Sequence, residues 1–287
     1  MCRFFAVGLY ALLAAVFSAG AEPIKVVAAE NVYGDIARQI GGSDVTVTSI
    51  LGNPNQDPHE FEAGASTARA TADARLVIYN GAGYDPWAVK LLSASKSGAR
   101  EVIEVAKLAH KKPGDNPHLW YDVATISTFG STLATKMAQL DAVHQSKYAE
   151  RGAAFDASMA QLRDRIATLR AKHAGTPVTA TEPVFDYMAE ALGLKMRNSR
   201  FQLAVMNGTE PSAAAIAAFE KDLRSRAVKV LLYNTQTGQA LAARMRTIAN
   251  EAGVPIVPIT ETAPLGQSYR AWMLAQLDEL DRALSSR

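Results

Sequence analysis

Cysteine is almost missing from this chain of 287 residues, which has only Cys2. A chain with one cysteine forms no internal disulfide, so buried apolar side chains have to provide its stability. The missing thiolates also limit metal chemistry, because a metal held beyond residue 2 has only nitrogen and oxygen ligands.

Motifs of several enzyme classes are missing as well. The sequence has no His-Glu-x-x-His helix of zinc proteases, no Gly-x-Ser-x-Gly nucleophile elbow and no Gly-x-x-x-x-Gly-Lys-Ser/Thr phosphate loop.

The chain also lacks a strong net charge. It has 30 basic and 28 acidic residues, and no stretch of it is rich in basic residues. A nucleic-acid partner is therefore not expected.

Long apolar runs are confined to the N-terminus, where residues 4–17 follow Arg3 and precede Ser18-Ala19-Gly20-Ala21. This order of basic, apolar and small residues predicts a signal peptide, residues 1–21, cleaved after Ala21. Removing it takes away one arginine and no acid, so the net charge falls from +2 to +1. No later run approaches the roughly 20 apolar residues of a membrane span, so we expect a periplasmic protein without direct membrane insertion.

Strand-like and helical patterns alternate in two stretches of the chain. In the first stretch, strands are predicted at 24–28, 45–51, 75–80 and 102–105, and helices at 31–40, 66–74 and 87–94. In the second, strands are predicted at 178–181, 201–206, 228–233 and 254–259, and helices at 184–192, 213–224, 238–252 and 268–284. This alternation predicts an α/β fold with two lobes, each a mainly parallel sheet with helices on both faces.

The middle of the chain shows no strand pattern. Residues 125–140 are helical, and Asp141 can cap a further helix that runs to about His173, before Gly175-Thr176-Pro177 ends it. Such a helix is about 45 Å long. We therefore predict one long rigid connecting helix at 141–174, between an N-terminal lobe at 22–140 and a C-terminal lobe at 175–287.

Four potential metal ligands follow predicted strands, where open α/β sheets bind their ligands. Glu182 comes directly after one strand of the second lobe, Glu261 follows another, and His59 and His118 lie in loops of the first lobe. Each histidine follows a proline, in Asp57-Pro58-His59 and Asn116-Pro117-His118, which stiffens its loop. Imidazole and carboxylate together suit Mn²⁺ or Zn²⁺, so the sequence predicts one such ion per chain.

Neighbouring residues have expected roles as well. Asp57, Asn116 and Asp122 are candidate acceptors for the imidazole N–H groups, which metal-bound histidines need. Trp120 and Phe61 can line the site or belong to the core. The remaining histidines are expected to be solvated or hydrogen-bonded, without a metal; these are His110, His144 and His173.

Several motifs together resemble one family. They are Asp57-Pro-His-Glu-Phe-Glu62, Tyr79-Asn-Gly-Ala-Gly83 with Trp87, Asn116-Pro-His-Leu-Trp120 and Thr209-Glu-Pro-Ser212. Together with the paired lobes, they resemble the substrate-binding proteins of zinc and manganese ABC importers, the cluster A-I metal-binding family. The resemblance implies a monomeric receptor that holds a metal between its lobes through His59, His118, Glu182 and Glu261. It also implies delivery of that metal to the membrane permease of an ABC importer.

The chain departs from the family pattern at several positions. Glu182 stands where many zinc-binding members have histidine, Glu261 where aspartate is usual, and Asn116 where aspartate is more typical. The loop at 110–114 is short and basic, in place of an acidic, histidine-rich loop. Two carboxylates make the site harder and favour Mn²⁺ slightly, although the Irving–Williams order lets Zn²⁺ bind such a site more tightly in vitro.

Two other functions are compatible with the same residues. A secreted metal-dependent hydrolase would leave one coordination position of the metal to water. A metal-binding adhesin would use the fold at the cell surface. We expect a receptor without enzymatic activity, because four ligands from two lobes leave no evident open position.

Overall fold

The computed structural model describes residues 22–54 and 57–286. The predicted signal peptide and its cleavage point after Ala21 lie outside these residues. Among the helices of the described part, none is both long enough and apolar enough to cross a membrane.

The N-terminal lobe contains a four-stranded parallel sheet. Its strands are β1 (Ile24–Glu30), β2 (Val45–Leu51), β3 (Leu76–Tyr79) and β4 (Glu101–Glu104), in the order β2-β1-β3-β4. Its helices are α1 (Asn31–Gly41), α2 (Ala65–Asp73), α3 (Pro86–Ala94) and α4 (Val105–Leu108). The chain reverses its direction of winding between β1 and β3, which opens a crevice at the carboxyl ends of these strands.

The C-terminal lobe repeats this topology. Its strands are β5 (Pro177–Ala180), β6 (Lys195–Arg197), β7 (Leu231–Asn234) and β8 (Ile256–Ile259), all parallel, in the order β6-β5-β7-β8. Its helices are α8 (Asp186–Ala191), α9 (Ser199–Met206), α10 (Ala213–Arg224), α11 (Ala240–Ala252) and α12 (Tyr269–Ser285). The predicted fold class, with two parallel-sheet lobes and surrounding helices, is confirmed.

One predicted strand was wrong, because residues 201–206 belong to helix α9. Phe201 and Val205 are four residues apart, so they share one helix face and enter a core cluster with Phe219, whose ring centroid is 4.8 Å from that of Phe201. The fourth strand is β6 instead, which the sequence pattern missed. It has only three residues, and Lys195 and Arg197 make it too polar to stand out.

Along the chain, three helices follow the N-terminal lobe's α4 and precede β5: α5 (Val123–Leu140), α6 (Gln145–Ser158) and α7 (Ala160–His173). The segment predicted as one helix begins with a short 3-10 turn at Ala142–His144 and is interrupted at Met159. The interruption is slight, because Met159 keeps helical backbone angles and its carbonyl accepts the N–H of Arg163 at 3.0 Å.

Ion pairs attach this connecting segment to both lobes. Near its start, Arg151 contacts Asp44 at 2.8 Å. Near its end, Lys172 and His173 both contact Asp281 of α12 at 2.8 Å. The start of the segment is therefore attached to the N-terminal lobe, and its end is attached to α12 of the C-terminal lobe.

The two lobes share a continuous hydrophobic core with the connecting helices. Tyr121 packs against Phe185 and Trp272, with ring centroids 5.1 Å and 5.7 Å apart. The side-chain amide of Asn31 also pairs with the backbone of Ala263, donating to its carbonyl at 2.8 Å and accepting its N–H at 3.0 Å. The crevices of the two lobes therefore face each other across a packed boundary.

The contact between α5 and α6 generates a stability prediction. Phe155 is buried, and its ring occupies the space that a side chain at Gly130 would need. Replacing Phe155 with alanine should lower the free energy of unfolding by about 3–5 kcal/mol, because the change leaves a cavity. Urea denaturation followed by circular dichroism measures this loss. The control is Val143→Ala, since Val143 is 80% exposed and should change stability little; equal losses would contradict the packing.

Candidate metal centre

His59 is presented by a short 3-10 turn, Pro58–Glu60. The Asp57 carboxylate accepts the backbone N–H of His59 at 2.9 Å and so caps this turn. Asp57 therefore fixes the backbone of His59 rather than its ring. The side chain of His59 is 31% exposed.

His118 is completely buried, and Asn116 fixes its ring. The Oδ1 atom of Asn116 lies 3.0 Å from the backbone nitrogen of His118 and 2.7 Å from its Nδ1. Because Oδ1 is an acceptor, Nδ1 carries the ring proton and Nε2 offers a lone pair. That Nε2 atom has no hydrogen-bond partner among the described residues. A buried nitrogen without a partner is costly in a folded protein and is typical of a ligand position.

Glu261 comes from the other lobe, two residues after β8, and is also buried. Its Oε2 atom lies 3.5 Å from Nε2 of His59 and 3.5 Å from Nε2 of His118. One ligand atom from each of these three residues lies within 4.8 Å of the others. The structure therefore brings two imidazoles and one carboxylate together around a common point.

Glu182, the fourth predicted ligand, stands beside this group. It follows β5 and is buried, but it does not belong to the set of ligand atoms within 4.8 Å of one another. Asn234 connects it to the group: its Nδ2 atom donates to Glu182 Oε2 at 3.2 Å and to Glu261 Oε1 at 2.8 Å. Glu182 and His59 also line the same cleft, of about 470 Å³, which opens to solvent.

Sequence reasoning missed three residues that hold Glu261. The hydroxyl of Tyr84 donates to Glu261 Oε2 at 2.8 Å, and Asn234 donates to Oε1. The Oε1 atom of Gln236 accepts the backbone N–H of Glu261 at 2.6 Å. The position of Asn234 could have been predicted from the rule that ligands bind at strand ends. Asn234 is the last residue of β7, which lies between β5 and β8, the strands that precede Glu182 and Glu261. No sequence pattern indicated Tyr84.

Charge at the site is unevenly distributed. Burial alone would raise the pKa of Glu261, but the adjacent imidazole of His118, the charge of His59 and the Tyr84 hydroxyl outweigh it and lower this pKa to about 2. Burial lowers the pKa of His118. Burial, followed by repulsion from Glu261, raises the pKa of Glu182 to about 7. At neutral pH an ionised Glu261 therefore lies beside a neutral His118, and Glu182 is close to its own pKa.

The remaining candidates lie outside this group. Nδ1 of His144 is 2.6 Å from Asp141, His173 pairs with Asp281 and His110 is exposed. Asp122 caps α5 by accepting the N–H of Ala124, so it does not contact an imidazole. Two aromatic residues belong to the packing around the site: Trp120 is buried with its ring 5.4 Å from that of His118, and Phe61 packs on Trp87.

These features suit a divalent transition metal. An unpartnered imidazole nitrogen, a second imidazole and an ionised carboxylate converge, with a second carboxylate beside them. Nitrogen and oxygen ligands of this kind suit Zn²⁺ and Mn²⁺.

Comparison with known proteins identifies a family and a shared fold. Residues 26–283 match the family profile described as zinc-uptake complex component A, periplasmic. The metal ABC transporter substrate-binding lipoprotein SloC of Streptococcus mutans is 23% identical over 286 residues, which cover 92% of this chain and 91% of SloC. The manganese ABC transporter substrate-binding lipoprotein PsaA of Streptococcus mitis is 23% identical over 291 residues, covering 93% of this chain and 91% of PsaA.

A solved structure shares the fold over nearly its whole length. The periplasmic zinc-binding protein TroA from Treponema pallidum superposes with a TM-score of 0.75 at 18% identity. The match covers 92% of this chain and 100% of the TroA chain. The two-lobed architecture is therefore a known one.

Asn116 generates a prediction for the site. Asn116→Ala removes the acceptor that orients His118, so the affinity for Zn²⁺ should fall by about 10- to 100-fold. Asn116→Asp keeps an acceptor at this position and should retain most of the affinity. Isothermal titration with Zn²⁺ measures both values.

The matched control for Asn116 is Asp122→Ala, which removes the cap of α5. It should cost about 1 kcal/mol of stability and leave the affinity for Zn²⁺ unchanged. Equal affinity losses for Asn116→Ala and Asp122→Ala would contradict the role of Asn116.

Proposed function

Because the chain belongs to the family of periplasmic zinc-uptake components, we propose that it is a periplasmic receptor for one divalent transition metal, Mn²⁺ or Zn²⁺. The receptor binds the ion between its lobes and delivers it to the membrane permease of an ABC importer. The family consists of transport components, so the proposed role is binding and delivery without catalysis.

The observation that carries this proposal is the buried Nε2 atom of His118, which has no hydrogen-bond partner among the described residues. It faces Glu261, a carboxylate from the opposite lobe, and His59 lies at the same distance from that carboxylate. Glu182, which lies beside this group and accepts a hydrogen bond from Asn234, is the fourth proposed ligand. Two nitrogen and two oxygen ligands then hold the ion.

The names of relatives support the transport part of the proposal. SloC and PsaA are described as substrate-binding lipoproteins of metal and manganese ABC transporters, and TroA as a periplasmic zinc-binding protein.

We propose that residues 1–21 direct export and are cleaved after Ala21, and that the receptor acts as a monomer. The lobes are assigned to residues 22–140 and 175–287, with residues 141–174 as the connector.

The first prediction concerns stoichiometry. The mature protein, freed of metal by a chelator, should bind one Zn²⁺ or one Mn²⁺ per chain. His118→Ala and the double variant His59→Ala/His118→Ala should lose this binding, because the imidazoles supply both nitrogen ligands. Equilibrium dialysis followed by elemental analysis measures the bound metal.

The matched control for stoichiometry is His144→Ala, which removes a histidine that pairs with Asp141 outside the site. It should bind metal as the wild type does. Stoichiometric binding by the double variant would exclude this site as the place where the metal binds.

The second prediction concerns pH. Protons compete with the metal for its ligands, so affinity should decrease as pH falls. The decrease should begin near pH 7, where Glu182 takes up its proton in the metal-free protein. The lowered pKa of His118 delays the contribution of this residue to lower pH. Below a ligand's pKa, affinity falls by up to about tenfold per pH unit for each proton displaced.

Competition with a chelating dye between about pH 8 and pH 5 measures this dependence, a range that spans the relevant pKa values. Glu182→Gln should bind more weakly at high pH and show a shallower decrease as pH falls, because one ligand fewer takes up a proton. A wild-type affinity that stays constant over the range would argue against imidazole and carboxylate ligands.

A further inference from the structure

Asn234 occupies the middle of three neighbouring strand ends. It is the last residue of β7, and β7 lies between β5, which leads to Glu182, and β8, which leads to Glu261. Its side chain therefore reaches both glutamates from one fixed point. Asn234 itself is buried.

The amide of Asn234 is held in one orientation. Its Oδ1 atom accepts the backbone N–H of Gln236 at 3.1 Å, which an amide nitrogen would be unable to do. Its backbone N–H donates to the hydroxyl of Thr181 at 3.0 Å. With Oδ1 fixed in this way, the Nδ2 group must point towards the two carboxylates.

Each carboxylate has one oxygen bound to Asn234. For Glu261 this is Oε1, while Oε2 faces the two imidazoles at 3.5 Å. For Glu182, Oε2 accepts the hydrogen bond from Asn234, and Oε1 is the oxygen without a hydrogen bond to Asn234. Turning either carboxylate so that both oxygens reach a metal would break or stretch a buried hydrogen bond to a charged group, which is among the stronger kinds.

We propose that Asn234 determines metal selectivity by holding Glu182 and Glu261 to one ligand oxygen each. The site then offers four ligand atoms, two nitrogen and two oxygen. Zn²⁺ accepts four ligands in tetrahedral geometry, whereas Mn²⁺ is typically found with six. The presence of two carboxylates by itself favours Mn²⁺. Their hydrogen bonds to Asn234, which leave one ligand oxygen on each, favour Zn²⁺. This inference rests on the proposed function as a metal receptor.

The variants Asn234→Ala and Asn234→Asp both remove the two N–H donors. The aspartate variant keeps the size of the side chain, so it tests the proposal if the alanine variant folds poorly. An added negative charge attracts Mn²⁺ and Zn²⁺ alike, and the ratio of the two affinities therefore reports on geometry. Thr235→Ala is the matched control, because Thr235 follows the same strand but is exposed.

The experiment measures Zn²⁺ and Mn²⁺ dissociation constants of the mature protein and its variants by competition with a chelator. Both Asn234 variants should reduce the preference for Zn²⁺ over Mn²⁺ by about tenfold or more, within the range that supporting residues of metal sites contribute. Thr235→Ala should keep the wild-type ratio. With Co²⁺ as a probe, the wild type should show the intense visible absorption of four-coordinate cobalt, and the Asn234 variants a weaker one.

The outcomes are distinguishable. An unchanged Zn²⁺ to Mn²⁺ ratio and an unchanged Co²⁺ spectrum in both Asn234 variants would overturn the role of Asn234 and leave the receptor intact. A weakly absorbing Co²⁺ complex of the wild type would overturn the four-coordinate site. A wild type that binds none of these ions would overturn the proposed function itself.

Discussion

The buried Nε2 atom of His118 has no hydrogen-bond partner among the described residues, and this imposes a cost on the folded protein. A buried polar atom without a partner typically costs about 1–3 kcal/mol. Asn116 contributes to this cost, because its Oδ1 atom accepts a hydrogen bond from Nδ1–H and so leaves Nε2 as the unprotonated acceptor. Glu261 Oε2, which lies 3.5 Å from this nitrogen, is an acceptor too. A cation at this point satisfies both at once, so the protein stores in its metal-free state part of the free energy that favours binding.

Much of the fold and part of the site were accessible from the sequence. Alternating patterns predicted both parallel sheets, and the Pro-His pairs with the strand-end rule pointed to His59, His118 and Glu261, which lie together in the structure. Periodicity failed at residues 201–206, because four of those six side chains are large and apolar and suit a helix or a strand equally well. Strand β6 was not predicted, because two of its three side chains, Lys195 and Arg197, are charged.

The supporting residues were harder to predict, because their roles depend on contacts between distant parts of the chain. Asp57, Asn116 and Asp122 all precede or follow a candidate ligand loop, yet only Asn116 contacts an imidazole ring. Asp57 and Asp122 cap local turns instead, a use that competes with side-chain contacts wherever aspartate begins a helix. Tyr84 reaches Glu261 across 177 positions of sequence, and no local pattern carries such information.

The exposure of His59 has a consequence for how an ion reaches the site. His118 and Glu261 are buried, while His59 lies on a short turn and lines the cleft that opens to solvent. An ion that enters from solvent would therefore meet His59 before it meets the two buried ligands.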